Sequence, residues 1–124
     1  MQTFTPFKQR YTFEERVAMS KRYTSNFNEN YEHDPILIVV EPAFNSKDPL
    51  KISQIMLIKT KISIRRFIQL LRKRFKLRAD RALFLFHENR VLTPMLKLHD
   101  LEQKAETDGI LYLKYSNEQT FGSI

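Results

Sequence analysis

The stretch that begins at Ser63 constrains this chain more than any other. Ile64, Phe67, Ile68, Leu71 and Phe75 recur at helical spacing, while Arg65, Arg66, Gln69, Arg72, Lys73 and Lys76 share the opposite face. One side of such a helix must be buried and the other cannot be. Ser63 stands where an N-cap hydroxyl would accept an amide of the first turn. The helix needs an apolar platform, and the neighbouring segments supply β-rich ones. Residues 36–40, ILIVV, are apolar on both faces, the pattern of a strand covered on both sides. Pro42, Asn45, Ser46, Asp48 and Pro49 make the next segment a loop, and a second apolar run at 52–58 completes a predicted hairpin. A third strand is predicted at 82–86, followed by a turn at 87–90 and a return through Val91 and Leu92. A short helix over 96–101 and a turn at Gly109 come next. The last strand, 110–115, alternates Leu111 and Leu113 with Ile110, Tyr112 and Lys114. This order is α+β, with one long helix lying on a mixed sheet.

Ahead of the first strand, Thr12 followed three residues later by Glu15 forms a capping box, which predicts a helix over 13–23. Phe13 and Val17 fall on one face of it, leaving Glu14, Arg16, Lys21 and Arg22 for solvent. The polar, Asn-rich residues 24–34 read as a connecting loop. Two glycines in the whole chain leave no flexible linker, so one compact unit is expected. The residues after Ser116 are a polar tail.

With 124 residues the chain is long enough to bury a core without staples. It has no cysteine, which excludes disulfides, thiolate metal sites and a Cys nucleophile and fits a reducing, cytoplasmic compartment. Met1 to Arg10 lacks the apolar centre of a signal peptide, and no apolar run approaches a membrane span. The net charge of +7 is concentrated. Residues 65–81 hold eight basic residues and one acid, which leaves thirteen of each sign elsewhere. A face of that kind attracts phosphates, anionic lipid headgroups or acidic protein tails, and without a base-stacking platform beside it RNA is a poor candidate. His33, His87 and His99 are scattered, and neither a metal-ligand spacing nor a phosphate loop can be drawn. No catalytic, metal or cofactor site is expected, and the chain does not read as an enzyme.

Five segments in order carry a resemblance. Residues 7–17, FKQRYTFEERV, are similar to FKQRRTFEQRV, and Arg72, Lys73 and Arg74 match a basic helix triplet. Residues 82–86, ALFLF, resemble an apolar strand. Residues 108–115, DGILYLKY, follow DGFLYMVY, and residues 118–122, EQTFG, resemble a processed terminus. These motifs are those of the autophagy-related ubiquitin-like modifier family, and the chain resembles most closely its microtubule-associated protein light chain 3 members.

The resemblance implies a ubiquitin-like (β-grasp) core over 31–116, an N-terminal helical extension of two helices over 1–30, and a flexible tail over 117–124. It implies cleavage after Gly122 by a processing protease, loss of Ser123 and Ile124, and joining of the freed carboxylate by ubiquitin-like conjugation enzymes to phosphatidylethanolamine on autophagosomal membranes. It also implies recruitment of cargo receptors through aromatic-x-x-aliphatic motifs added as a strand to the edge at residues 54–58. Leu57 and Ile110 would line the pocket for the aromatic residue, with Met19, Tyr23 and Ile38 close by. Met56, Ile58, Phe67 and Leu70 would line the aliphatic pocket. Arg10 would be the N-terminal basic contact, since Tyr11 replaces a second arginine. Ile55 stands where the family usually has lysine, Lys59 where it usually has proline, and Ile110 where it usually has phenylalanine, which points to a different peptide preference. Arg10 and the basic surface of Arg72, Lys73 and Arg74 could meet acidic tubulin tails on the cytoskeleton. An unlipidated peptide-binding or microtubule-associated adaptor of the same fold is the alternative.

Overall fold

A computed structural model describes residues 5–25, 35–43 and 54–117. Two short helices lead the chain, α1 (Phe7–Arg10) and α2 (Phe13–Ser25). A five-stranded sheet follows, built from β1 (Pro35–Pro42), β2 (Gln54–Lys59), β3 (Phe84–His87), β4 (Arg90–Val91) and β5 (Ile110–Ser116). Its long helix is α3 (Ile64–Phe75), and a 3-10 helix spans Leu98–Lys104. The strand order is β2-β1-β5-β3-β4, with β1 and β5 parallel at the centre and the other pairs antiparallel. This is the ubiquitin-like arrangement, with the α3 crossover linking the hairpin to the rest of the sheet.

The local signals explain the elements. Ser63 Oγ accepts the Arg66 amide at 3.1 Å, so α3 starts at its predicted cap. The capping box closes both ways: Thr12 N–H donates to Glu15 Oε1 at 2.9 Å and Glu15 N–H to Thr12 Oγ1 at 3.2 Å. The β3–β4 turn holds Glu88 and Asn89 at positive φ, the two-residue hairpin geometry that matches strand twist.

Residues of β1 are buried on both faces, as expected, and their parity divides the interior. Ile36, Ile38 and Val40 join Met56, Leu85, Leu111, Leu113 and Tyr115 against Ile64, Phe67, Leu71 and Phe75 of α3. Leu37 and Val39 face the other way, where they join Phe7 and Ile110. The sheet is therefore sandwiched between α3 and the N-terminal extension.

Three elements depart from the sequence reading. The third strand spans Phe84–His87 instead of 82–86, because its pairing with β5 begins at Phe84 opposite Ser116. The short helix is a 3-10 helix over Leu98–Lys104 instead of 96–101, because residues 96–99 are tied to residues 60–64 by backbone bonds such as Ile64 N–H to Leu96 O at 2.7 Å. In α2 only half of the expected Phe13 and Val17 face is covered: Val17 is half-buried but Phe13 is 44% exposed, whereas Ser20 is buried and Arg16, expected in solvent, is half-buried. The predicted tail beyond Asn117 and the linking segments at 26–34 and 44–53 lie outside the described residues.

Ser20 is small because α2 passes directly over Gly109. That glycine has φ +84°, and a Cβ built on it would stand 2.6 Å from Ser20 Oγ. Gly109→Ala should therefore strain the turn and push α2 outward, costing about 1–3 kcal/mol in denaturant unfolding. Unchanged stability would show that α2 is not held at this contact.

Candidate functional site

The extension is fastened to the sheet mainly by polar contacts around Asp108. This carboxylate, with 2% of its side chain exposed, meets Arg16 Nε at 3.1 Å and accepts the Ile110 amide at 3.0 Å and the Tyr112 hydroxyl at 2.5 Å. Arg16 also donates to the carbonyls of Lys8 and Tyr11, which pins α1 to α2. Phe7 is fully buried beneath them, and its N–H donates to Glu41 Oε2 at 2.8 Å. Burial holds the Tyr112 phenol well above its usual range, and the hydrogen bond and charge of Asp108 push in the same direction against the opposing Arg16.

This docking builds one wall of an edge groove. Strand β2 is outermost in the sheet and pairs with β1 alone among the described residues. Its side chains alternate between the two faces. Ile55 and Leu57 pack with Tyr11, Met19 and Tyr112 against the Phe7, Leu37, Val39 and Ile110 cluster. Met56 belongs to the α3 cluster, and Ile58, Ile68 and Leu70 pack against it, half-buried. An extended chain laid along β2 would thus find backbone groups at the edge and apolar surface on both sides.

The structure sorts the expected residues. Met19, Ile55 and Leu57 come together on the extension side, and Ile58 and Leu70 on the α3 side. Arg10 is exposed, its guanidinium 5.8 Å from the Phe7 ring and 5.7 Å from the Tyr11 ring. Tyr23 is 40% exposed near the end of α2. Ile38 is misplaced in the sequence reading. It pairs with Met56, is fully buried, and faces α3, the opposite side from Leu57. Leu37 and Val39 occupy the place expected for it, a parity that a strand apolar on both faces does not reveal. Leu37 is the register partner of both Leu57 and Ile110, so these three share one face. Phe67 and Ile110 have no exposed surface and Met56 has 4%, so these residues form the floor under the groove.

The basic triplet also divides. Arg72 Nη2 donates to the Arg78 carbonyl at 2.7 Å and its Nη1 to the Arg81 carbonyl, so it closes the loop after α3. Lys73 and Arg74 are exposed, with Arg74 Nη1 3.4 Å from Gln54 Oε1 at the start of β2. Sequence reasoning missed Arg16 and Asp108 as mounting residues, because the 92 positions between them conceal the pairing. Gly122 lies outside the described residues.

A family model described as "Autophagy protein Atg8 ubiquitin like" matches residues 15–122. The chain belongs to the Atg8 family. It is 37% identical over 119 residues to autophagy-related protein 8e of Arabidopsis thaliana, covering 94% of this chain and 93% of the relative. It is 33% identical over 118 residues to autophagy-related protein 8 of Eremothecium gossypii, covering 94% of each. Among solved structures, Trypanosoma brucei ATG8 superposes with a TM-score of 0.77 at 28% identity, over 97% of this chain and 100% of that one. Plasmodium falciparum Atg8 in complex with a Plasmodium falciparum Atg3 peptide gives 0.76 at 25% identity, over 94% and 98%. The protein is accordingly a ubiquitin-like modifier of autophagy, and the expectation drawn from its motifs holds at that level.

The mounting knot has a measurable signature in this Atg8 protein. The neutral phenol of Tyr112 is favoured in the folded state, so its contribution to stability is complete below the ordinary phenol value of about 10 and is lost as pH rises beyond it. In alkaline absorbance titration of the folded protein, Tyr112→Phe should leave the phenolate signal unchanged up to about pH 11. A variant that loses phenolate absorbance below that pH would place the hydroxyl outside the knot.

Proposed function

We propose that the protein is conjugated through Gly122 to phosphatidylethanolamine and recruits motif-bearing cargo receptors during autophagosome formation. The observation that carries the reading is the edge of β2, which pairs with β1 alone among the described residues and is flanked by apolar surface on both faces. A peptide joining that edge gains backbone hydrogen bonds. Its aromatic residue would sit over Leu57 and Met19 and its aliphatic residue over Ile58 and Leu70, with Arg10 and Arg74 as flanking cations. Ile55 makes the extension side more apolar, which favours peptides with apolar rather than acidic residues beside the aromatic position.

The family match running through Gly122 supports the conjugation arm. Glycine has no side chain to obstruct a narrow protease or transferase site. Removal of Ser123 and Ile124 would free its carboxylate for an amide bond to the headgroup amine. The two acyl chains then anchor the protein, where one chain would give only marginal residence. No described helix is long and apolar enough to cross a membrane, so membrane attachment in this reading comes from the lipid. The Plasmodium falciparum relative in complex with an Atg3 peptide supports a conjugation enzyme as a partner. In this scheme the protein is the substrate of the conjugation enzymes and performs no catalysis, moving from the cytoplasm to the autophagosome. Lys73 and Arg74 are exposed cations available to acidic tubulin tails.

Gly122→Ala should abolish both cleavage and transfer to the membrane fraction in starved cells, read by intact mass. Membrane transfer that persists in the variant would overturn conjugation, and wild-type protein that stays full-length in every fraction would leave an unlipidated adaptor. Leu57→Glu places a charge in the groove and should weaken binding of an aromatic-x-x-aliphatic peptide about tenfold or more in calorimetry. Undiminished binding would remove the β2 edge from recognition.

A further inference from the structure

The turn over residues 93–95 holds a methionine out in solvent. Met95 is 83% exposed, more than any other large apolar residue among the described ones. Its backbone is nevertheless fixed on both sides to the first turn of α3. Ile64 N–H donates to the Leu96 carbonyl at 2.7 Å and Arg65 N–H to the Pro94 carbonyl at 3.0 Å, while Leu96 N–H donates to the Thr93 carbonyl at 3.1 Å. Amides that a helix start leaves without intrahelical partners are satisfied this way, and the same bonds set the position from which Met95 projects.

Between this turn and α3 lies a groove of about 360 Å³ lined by Arg65, Ile68, Gln69, Pro94 and Met95. Ile68, Pro94 and Met95 make its surface largely apolar. It is separate from the β2 edge, because positions 68 and 70 stand about 200° apart around a helix. Leu70 and Arg74 share the flank toward β2, where Arg74 reaches Gln54, whereas Arg65, Ile68 and Gln69 share the flank toward the turn. A single exposed apolar residue is ordinary, but one held rigidly over a concave apolar surface has the form of a docking site.

Charge and backbone together select the occupant. The Arg65 guanidinium has no acceptor among the described residues, and no acid lines the groove. Gln69 Oε1 already accepts from Arg66 at 3.2 Å, and Asp80, the one acid of the 65–81 segment, is held by Arg78 at 3.2 Å. Carboxylates must therefore come from outside. The turn commits its Pro94 and Leu96 carbonyls to α3, and a helix flank presents no unpaired strand edge. A partner cannot add a strand here, so it is best recognised with its backbone already paired, as in a helix laid into a groove.

We propose that this groove docks an acidic amphipathic helix of a partner protein, which seats an aliphatic side chain between Ile68 and Met95 and sets a carboxylate against Arg65. Methionine suits the role, because its flexible thioether adapts to side chains of different shape. The site stands on the opposite flank of α3 from the β2 groove, so both can be occupied at once.

The probe is a capped Glu/Ala helical peptide bearing Leu at i and i+4, compared with one version in which Ala replaces Leu and another in which Lys replaces Glu. Titrated into the full chain, the first should saturably shift the Met95 ε-methyl signal and the amides of Arg65, Ile68 and Gln69, and the other two should bind about tenfold more weakly or worse. Met95→Glu and Arg65→Glu alter exposed side chains, so each should melt near the wild-type temperature while weakening the peptide about tenfold or more. Leu57→Glu should leave this binding intact, and Met95→Glu should leave binding of an aromatic-x-x-aliphatic peptide intact, so the two sites fail separately. Equal binding of the Leu and Ala peptides would reduce the contact to diffuse charge and overturn the proposal. Shifts centred on β2, or undiminished binding by Met95→Glu, would overturn it as well. Met95 shifts that appear on concentrating the chain alone would make the occupant a second copy and overturn the partner helix.

Discussion

The buried carboxylate of Asp108 is the interaction on which the rest of the molecule depends. A carboxylate removed from water is costly unless its oxygens are occupied, and here an arginine, a backbone amide and a phenol occupy them. Each partner belongs to a different part of the design. Arg16 brings α2, Ile110 begins the central strand β5, and Tyr112 stands on the face of β5 that the extension covers. Without this knot the Phe7, Leu37, Val39 and Ile110 cluster would lie under a helix pair with little apolar surface of its own. The peptide groove inherits its extension-side wall from the same contact.

The central strand β1 does the complementary work. It is hydrogen-bonded on both edges and covered on both faces, and its alternation gives three residues to the α3 cluster and two to the extension cluster. Strand β2 is paired to it in fixed register, so the same alternation passes outward to the edge, with Ile55 and Leu57 on one side and Met56 and Ile58 on the other. A groove with two unlike apolar sides is thus a direct consequence of a two-faced sheet ending in an apolar strand.

Charge is organised in the same economical way. The basic segment that follows Ser63 looks uniform in the sequence, yet its members have separate tasks. Arg72 closes the turn after α3 by binding two carbonyls, Arg74 reaches the start of the edge strand, and Lys73 stands in solvent.

The sequence by itself determined the elements whose causes are local. The Ser63 cap, the Thr12 and Glu15 box, the helical spacing of α3 and the doubly apolar run of β1 each act within a few residues, and each reappears in the fold. The family motifs likewise placed the edge at β2. Only the tertiary structure decided which face each strand residue serves. Ile38 and Leu37 are equally apolar neighbours, and the pairing of Leu37 with both Leu57 and Ile110 is what puts Leu37, and not Ile38, beneath the groove. It also decided that Arg16 would be half-buried on Asp108 while Phe13 stayed exposed, since the amphipathic pattern of a short helix does not register a carboxylate 92 residues away. Local propensity is written in adjacent residues, whereas facing and pairing arise only when distant segments compete for the same buried space.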